Sequence, residues 1–308
     1  MNIKNIVCLL FASTVIAQSL PKVAGGTVER IENFQSKYVT SRNVDVWLPE
    51  NYSASKKYSV LYMHDGQMLY DPETTWNKQA WEVDDVLGKL MQESKIQDVI
   101  VVGMFNGGST RHIDYFPQKP FESLTKKQQD SIYKANRTNG QSVFNNGKVN
   151  SDNYLKFIVN ELKPLIDTKY SVYTDKAHTF VAGSSMGGLI SMYAICEYPK
   201  VFGGAACIST HWPGIFGIEG NPIPKAFFDY LTESLPNPKD HKIYFDYGTA
   251  TLDAMYETLQ PQVDAIMISK GFDNSNWITK KFEGADHSEK AWNSRFTIPM
   301  EFLLGKQN

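Results

Sequence analysis

Thr179-Phe180-Val181-Ala182-Gly183-Ser184-Ser185-Met186-Gly187-Gly188-Leu189-Ile190 is the stretch on which the fold of this chain turns. The apolar run from 179 to 182 reads as a buried strand. Leu189, Ile190, Met192, Tyr193 and Ile195 then give the following segment the apolar face of a helix. Between them stands Gly-x-Ser-x-Gly, centred on Ser185. Three fixed positions are weak evidence alone: with Gly and Ser each near 7% of an average chain, chance supplies them in roughly one protein in ten of this length. The succession of strand, sharp turn and helix adds the missing specificity. Such an elbow forces its serine into a strained backbone conformation and brings strand and helix so close that only glycine fits beside it. Ser185 is therefore the candidate nucleophile.

Outward from the elbow, strand-like runs alternate with helical periods. Val44 to Leu48 reads as an early strand of an opening hairpin region, Tyr58 to Met63 as the first buried central strand, and Val99 to Met104 as the next. Val83, Val86, Leu87, Leu90 and Met91 mark one helical face between them. A long polar segment from Asn106 to Asn150 then interrupts the alternation, and connections of that length are usually functional covers, so it is expected to roof the site. Leu155, Ile158 and Leu162 predict a helix ending near Pro164. Beyond the elbow come strands near Ala205 to Ile208 and Lys242 to Tyr247, a helix near Ala254 to Lys270, a strand near Ile278 to Phe282 and a C-terminal helix with Phe296, Ile298 and Leu303. This order predicts an α/β fold with a mostly parallel central sheet and helices on both faces. No Pro/Ser linker, repeat or low-complexity block divides residues 18–308, which are expected to form one domain.

A serine hydroxyl is a poor nucleophile at neutral pH and requires a histidine base, held in one tautomer by an acid. On a sheet of this kind the order is Ser, acid, His, each on a loop at the carboxyl end of a strand. Of the six histidines, His64, His112 and His178 precede the serine, His241 opens a strand at the wrong end, and His211 precedes any suitable acid. His287 remains, in a loop that follows Lys281-Phe282-Glu283-Gly284-Ala285-Asp286. The acid is open among three residues: Asp253, five positions past Gly248 and the leading candidate, although it would serve equally as a helix cap, with Asp246 and Glu257 as alternatives. Two N–H donors for the oxyanion are expected from Met186, next to the nucleophile, and from Gln67, in the glycine turn His64-Asp65-Gly66-Gln67. His64 is expected to brace that turn by a hydrogen bond.

The N-terminus reads as an export signal, with Lys4 ahead of an apolar stretch from Ile6 to Ala17 and Val15 and Ala17 at the −3 and −1 positions of a cleavage site. The run is too short to span a bilayer. The formal charge of −2 gives no field favouring nucleic acid or an anionic membrane. Beyond the leader, Cys196 and Cys207 are expected to be buried thiols rather than a bridge. No Cys-x-x-Cys, His-Glu-x-x-His or phosphate-binding glycine motif occurs, so no metal or nucleotide is implied.

His64 to Gln67, the elbow from Gly183 to Gly188, Tyr244 to Gly248 followed by Asp253, and Gly284 to His287 together resemble the esterase family of α/β-hydrolases. That family includes enterochelin esterases, feruloyl and acetylxylan esterases, S-formylglutathione hydrolases and mycolyltransferases. The likeness runs from about Val44 to Leu304. It implies ester hydrolysis through an acyl-enzyme, without a cofactor, on a small-molecule or oligosaccharide ester. Aromatic residues expected at the mouth, including Trp76, Tyr115, Phe116, Trp212 and Phe216, would stack on a phenolic acyl group or a sugar, and Arg111 would meet a polar or anionic group. An acyltransferase shares the same acyl-enzyme and differs in the acceptor. A binding protein on an inactive scaffold is the reading of a different class.

Overall fold

The computed structural model describes residues 19–137 and 139–306, so the export signal expected at residues 1–17 lies outside the described residues. Eight strands form one sheet: β1 (Thr27–Phe34), β2 (Arg42–Leu48), β3 (Ser59–His64), β4 (Val99–Met104), β5 (Thr179–Ser184), β6 (Gly204–Ile208), β7 (Lys242–Gly248) and β8 (Trp277–Phe282). Their spatial order is β1-β2-β4-β3-β5-β6-β7-β8. β2 pairs antiparallel with both of its neighbours, and every other pairing is parallel.

The central strands are apolar along their whole length because both faces are covered. β3, β4, β5 and β6 are buried at every residue. Val60, Tyr62, Val102 and Val181 face one core, while Leu61, Met63, Val101 and Ala182 face the other, the two-residue alternation of a strand. The edge is treated differently: β8 exposes Lys280 and Lys281, charges that discourage pairing with another chain.

Helices α1 (Val83–Gln92), α2 (Arg111–Tyr115), α3 (Gln118–Glu122), α4 (Lys126–Ile132), α5 (Ser151–Lys156), α6 (Lys163–Lys169), α7 (Met186–Glu197), α8 (Ile223–Ser234), α9 (Gln260–Ser269), α10 (Glu289–Asn293) and α11 (Thr297–Leu304) complete the described structure. Leu87, Leu90, Met300 and Leu303 cover one face of the sheet, and Leu155, Ile158, Leu162 and Ile166 belong to the other core. None of the described helices is long and apolar enough to cross a membrane.

Several sequence expectations change here. The helix expected to stop near Pro164 continues to Lys169, because residues Phe157–Leu162 form a π-helical turn between α5 and α6. Widening the helix just before the proline relieves the clash of its ring with the preceding turn. The segment from Asn106 to Asn150 is not an open loop: it builds α2, α3 and α4 and buries Tyr115, Phe116, Phe121 and Phe144 in the main core. The helix expected from Ala254 begins only at Gln260, after a 3-10 turn over Thr251–Tyr256. α8 was not anticipated at all.

Cys196 and Cys207 are both free and buried. Burial pushes each thiol above its ordinary pKa, which leaves little thiolate to react.

Candidate active site

β3 is followed by a strand on one side of it, β4, and later by one on the other side, β5, so the chain's direction of winding reverses there. Such a reversal opens a crevice at the carboxyl ends of the two strands. Both the His64–Gln67 turn and the Ser185 elbow emerge into it.

Ser185 takes φ 59° and ψ −121° between β5 and α7, a conformation costly for any residue but glycine. Its N–H donates to the Ile208 carbonyl at 2.9 Å. A Cβ placed on Gly183 would come within 2.8 Å of the Gly187 backbone, so the close contact between strand and helix requires glycine at position 183. A Cβ on Gly187 would stand 3.4 Å from the His64 Cβ, which measures how closely the elbow and the β3 turn approach each other. Met186 is the first residue of α7, and its N–H has no acceptor within the helix. Gln67 lies in the single 3-10 turn Gly66–Met68. The two expected donors therefore sit on facing turns.

Asp253 is fully buried in the 3-10 turn after β7. Its Oδ1 is hydrogen-bonded to His287 Nδ1, while Oδ2 accepts the Gly248 N–H at 2.6 Å and the Ser209 hydroxyl at 2.6 Å. His287 comes from the loop after β8; its N–H donates to Thr251 Oγ1 at 2.9 Å, and its ring stands edge-on to Trp292 at 4.9 Å between centroids. The alternative acids are committed elsewhere. Asp246 receives Arg295 at 2.9 and 3.1 Å, the Ser209 N–H at 3.1 Å and the Tyr244 hydroxyl at 3.0 Å. Glu257 pairs with Lys281 at the surface.

The β3 turn is held from the Asn106–Asn150 segment. Asp65, with φ 57°, accepts both Arg111 Nε and Nη2, at 2.6 and 2.7 Å, and Asn106 Nδ2 at 2.6 Å. Burial pushes the Asp65 carboxyl up, but the charge and hydrogen bonds of Arg111 and Asn106 more than reverse this, leaving it below the ordinary carboxylate range. The Asp65 N–H donates to the Tyr115 hydroxyl at 3.2 Å, and Asn106 N–H donates to Gln67 Oε1 at 3.2 Å. His64 Nδ1 meets the Tyr154 hydroxyl at 2.9 Å, and burial holds the ring neutral, pushed down to about 3.

Three expected substrate contacts are not where the sequence reading put them. Tyr115 and Trp212 are each 0% exposed, their polar atoms spent on Asp65 and on Gln260 respectively, so neither presents a face to a ligand. Loop aromatics packed into a core rather than a mouth are the correction. Arg111 is partly exposed, but its bidentate fork is given to Asp65. Of the five aromatic rings expected at the mouth, Trp76 and Phe216 are the exposed ones. Trp76 adjoins Asn77, which donates to Glu289 two residues beyond His287, and Phe216 lies 5.9 Å from the His211 ring. Ser209, Tyr256, His211 and Arg295 are also in the site. Ser209 follows the strand next to the nucleophile strand, a position that could have flagged it; nothing local marks Arg295.

An elbow serine at the reversal point of a mostly parallel sheet in this strand order defines an α/β-hydrolase. The chain belongs to the esterase family of carboxylic ester hydrolases: the family model described as "Putative esterase" matches residues 36–301. The uncharacterized protein YbbA of Bacillus subtilis is 23% identical over 274 residues, covering 86% of this chain and 94% of that one. Among solved structures, the CE1 ferulic acid esterase of Anaeromyces mucronatus superposes with a TM-score of 0.63 at 21% identity, over 92% of this chain and 93% of that one. The enterobactin esterase of Shigella flexneri superposes with a TM-score of 0.61 at 16% identity, over 92% of this chain and 60% of that one.

Proposed function

We propose that the chain is an exported serine esterase working through Ser185, His287 and Asp253. The observation that carries this reading is the buried Asp253 carboxylate hydrogen-bonded to His287 Nδ1 beside the strained Ser185 elbow. Asp253 fixes the imidazole so that Nδ1 bears the proton and Nε2 is free to take one. Nε2 removes the Ser185 proton as Oγ attacks the ester carbonyl carbon. The carbonyl oxygen becomes an oxyanion and accepts the N–H groups of Met186 and Gln67. Collapse expels the alcohol, which takes the proton from His287. Water, activated by the same base, then cleaves the acyl-enzyme.

The substrate we propose is an acylated carbohydrate, with a feruloyl or acetyl group. Similarity to a ferulic acid esterase supports it, as do the exposed Trp76 and Phe216 rings, which offer stacking faces to a phenolic acid or a sugar. The likeness to an enterobactin esterase favours a siderophore-like ester as the second reading. Export rests on the N-terminal pattern, with cleavage near Ala17 read out by N-terminal sequencing of the mature protein.

Ser185→Ala is expected to lower turnover of 4-nitrophenyl acetate by about 10⁶-fold. Unchanged turnover refutes the assignment. A panel of feruloyl, acetyl-sugar, glutathione thioester and catecholate ester substrates ranks the acyl groups, and product analysis with added alcohol separates hydrolysis from transfer.

A further inference from the structure

Ser209 follows β6 and has no part in the steps above, yet its N–H and its hydroxyl are both engaged within the site. It is fully buried. Its backbone N–H donates to Asp246 Oδ1 at 3.1 Å, and its hydroxyl oxygen accepts Trp292 Nε1 at 3.0 Å and Arg295 Nη2 at 2.9 Å. A hydroxyl has two lone pairs and one proton, whereas indole and guanidinium groups can only donate. Both lone pairs are therefore filled, and the proton is directed to Asp253 Oδ2 at 2.6 Å.

The backbone by itself would favour a different residue there. Ser209 holds φ 42°, a left-handed conformation that glycine adopts freely and serine only at a cost. A side chain buried on such a backbone is explained by what its hydroxyl does, and that falls on the Asp253 carboxylate. Oδ2 takes two donors, the Ser209 hydroxyl and the Gly248 N–H, and Oδ1 is left for His287 Nδ1. Ser209 follows the end of β6 and Gly248 ends β7, so the two donors pin the acid between paired strands. With Gly248 alone, the carboxylate could swing about a single bond and carry His287 with it.

We propose that Ser209 is a positioning residue that locks the rotation of the Asp253 carboxylate and thereby the His287 imidazole. Its hydroxyl proton stays in place throughout the reaction, and the residue acts on the ester only through Asp253. The proposal rests on the reading of Ser185, His287 and Asp253 given above.

The test compares Ser209→Ala and Ser209→Gly in steady-state hydrolysis of 4-nitrophenyl acetate, the glycine relieving the backbone strain while removing the same hydroxyl. Both should lose kcat by roughly ten- to hundredfold, the worth of one hydrogen bond to a charged group. KM should hardly change, because acylation and deacylation use the same base. Parental kcat in either variant, or a rise in KM in place of the kcat loss, overturns the proposal. Arg295 Nη2 keeps Asp246 Oδ1 at 2.9 Å in these variants, but Trp292 Nε1 loses its acceptor. Ser209→Gly combined with Trp292→Phe repeats the measurement without the stranded nitrogen; the kcat loss should persist, and its recovery overturns the proposal. A residue that merely supports the fold would add its effect to any other damage. One that acts through Asp253 does not: in an Asp253→Asn background, Ser209→Gly should cost at most about twofold more, and a full additional loss overturns the proposal. Ser185→Ala is the control. Turnover that persists in it overturns the nucleophile assignment, whereas turnover that requires Ser185 but is indifferent to residue 209 overturns this inference alone.

Discussion

Replacing Asp253 with asparagine keeps the shape of the acid and removes one acceptor, and the structure decides which one. The Oδ2 position receives two donors, the Gly248 N–H and the Ser209 hydroxyl. Ser209 cannot reverse its role, because Trp292 Nε1 and Arg295 Nη2 already donate to its oxygen at 3.0 and 2.9 Å. Its one proton must go to residue 253. The asparagine carbonyl therefore has to occupy the Oδ2 position, which turns the amide NH₂ toward His287 Nδ1. Flipping the amide would strand two buried donors at about 1–3 kcal/mol each, so the misoriented form is disfavoured by about 2–6 kcal/mol. An NH₂ facing Nδ1 makes that nitrogen an acceptor and moves the imidazole proton to Nε2, where the base must be empty. We expect Asp253→Asn to lower kcat for 4-nitrophenyl acetate by about 10³- to 10⁴-fold with a native thermal unfolding curve. Asp246→Asn, which leaves the contact to His287 in place, should cost far less. An Asp253→Asn enzyme within tenfold of the parent, or the reverse ranking of the two variants, refutes the reasoning.

Arg111→Ala should lower kcat by up to about 10²-fold, the scale of one misplaced oxyanion donor, with KM little changed, and Arg111→Lys should restore only part because an ammonium cannot fork onto Asp65; a rise in KM at constant kcat would instead return Arg111 to substrate binding. Asp84, in the first turn of α1, accepts the Ala24 N–H at 2.7 Å through one oxygen while its other oxygen is buried without a partner, and burial pushes its carboxyl up to about 6. The folded chain thus holds this proton more tightly than the unfolded chain, and the associated stability is present near pH 4 and lost as pH rises through 6. Asp84→Asn should then stabilise the protein at pH 7.5 by about 1–2 kcal/mol after discounting for solvent screening, and hardly at pH 4; equal gains at both values in denaturant titrations refute this. In the chain without residues 1–17, two thiols should titrate after denaturation without reductant and neither promptly in the native state.

What was legible in the sequence was local. The elbow could be read because its strand, its glycines and its helix are contiguous, and the geometry they require is imposed by neighbours a few residues away. His287 could be read because a glycine leads out of a strand just before it. Tyr115 and Trp212 misled because composition does not tell whether a loop aromatic faces solvent or core; here the long segment folds Tyr115, Phe116, Phe121 and Phe144 into the core, and Trp212 joins them there. Pro164 misled because the usual rule for proline assumes an α-helical turn, and the π turn before it removes the clash. α8 carried a readable period in Ile223, Phe227, Tyr230 and Leu231, but it starts at prolines without a capping side chain, so its beginning gave no signal. Arg295 was beyond reach, since its partner Asp246 lies 49 residues away.

That distant arginine explains why the site tolerates two buried carboxylates on one network. Asp246 and Asp253 both bond to Ser209, one through its N–H and the other through its hydroxyl. Without a cation, two carboxyls so close would share a proton, and a partly protonated acid orients a histidine poorly. Burial pushes Asp246 up, and Arg295 recovers only part of that shift. Arg295 nevertheless sits 3% exposed with its fork on Asp246 and stands 4.0 Å from Asp253. Its charge compensates Asp246, which leaves the charge of Asp253 directed at His287. On this account Arg295→Leu should do more than loosen the fold. Asp246, already pushed up by burial, would lose the cation that opposes that shift and take up a proton, disturbing its bonds to Ser209 and through Ser209 the seat of Asp253; kcat should fall by about tenfold or more, and a folded variant with the parental kcat refutes the division of labour between the two acids.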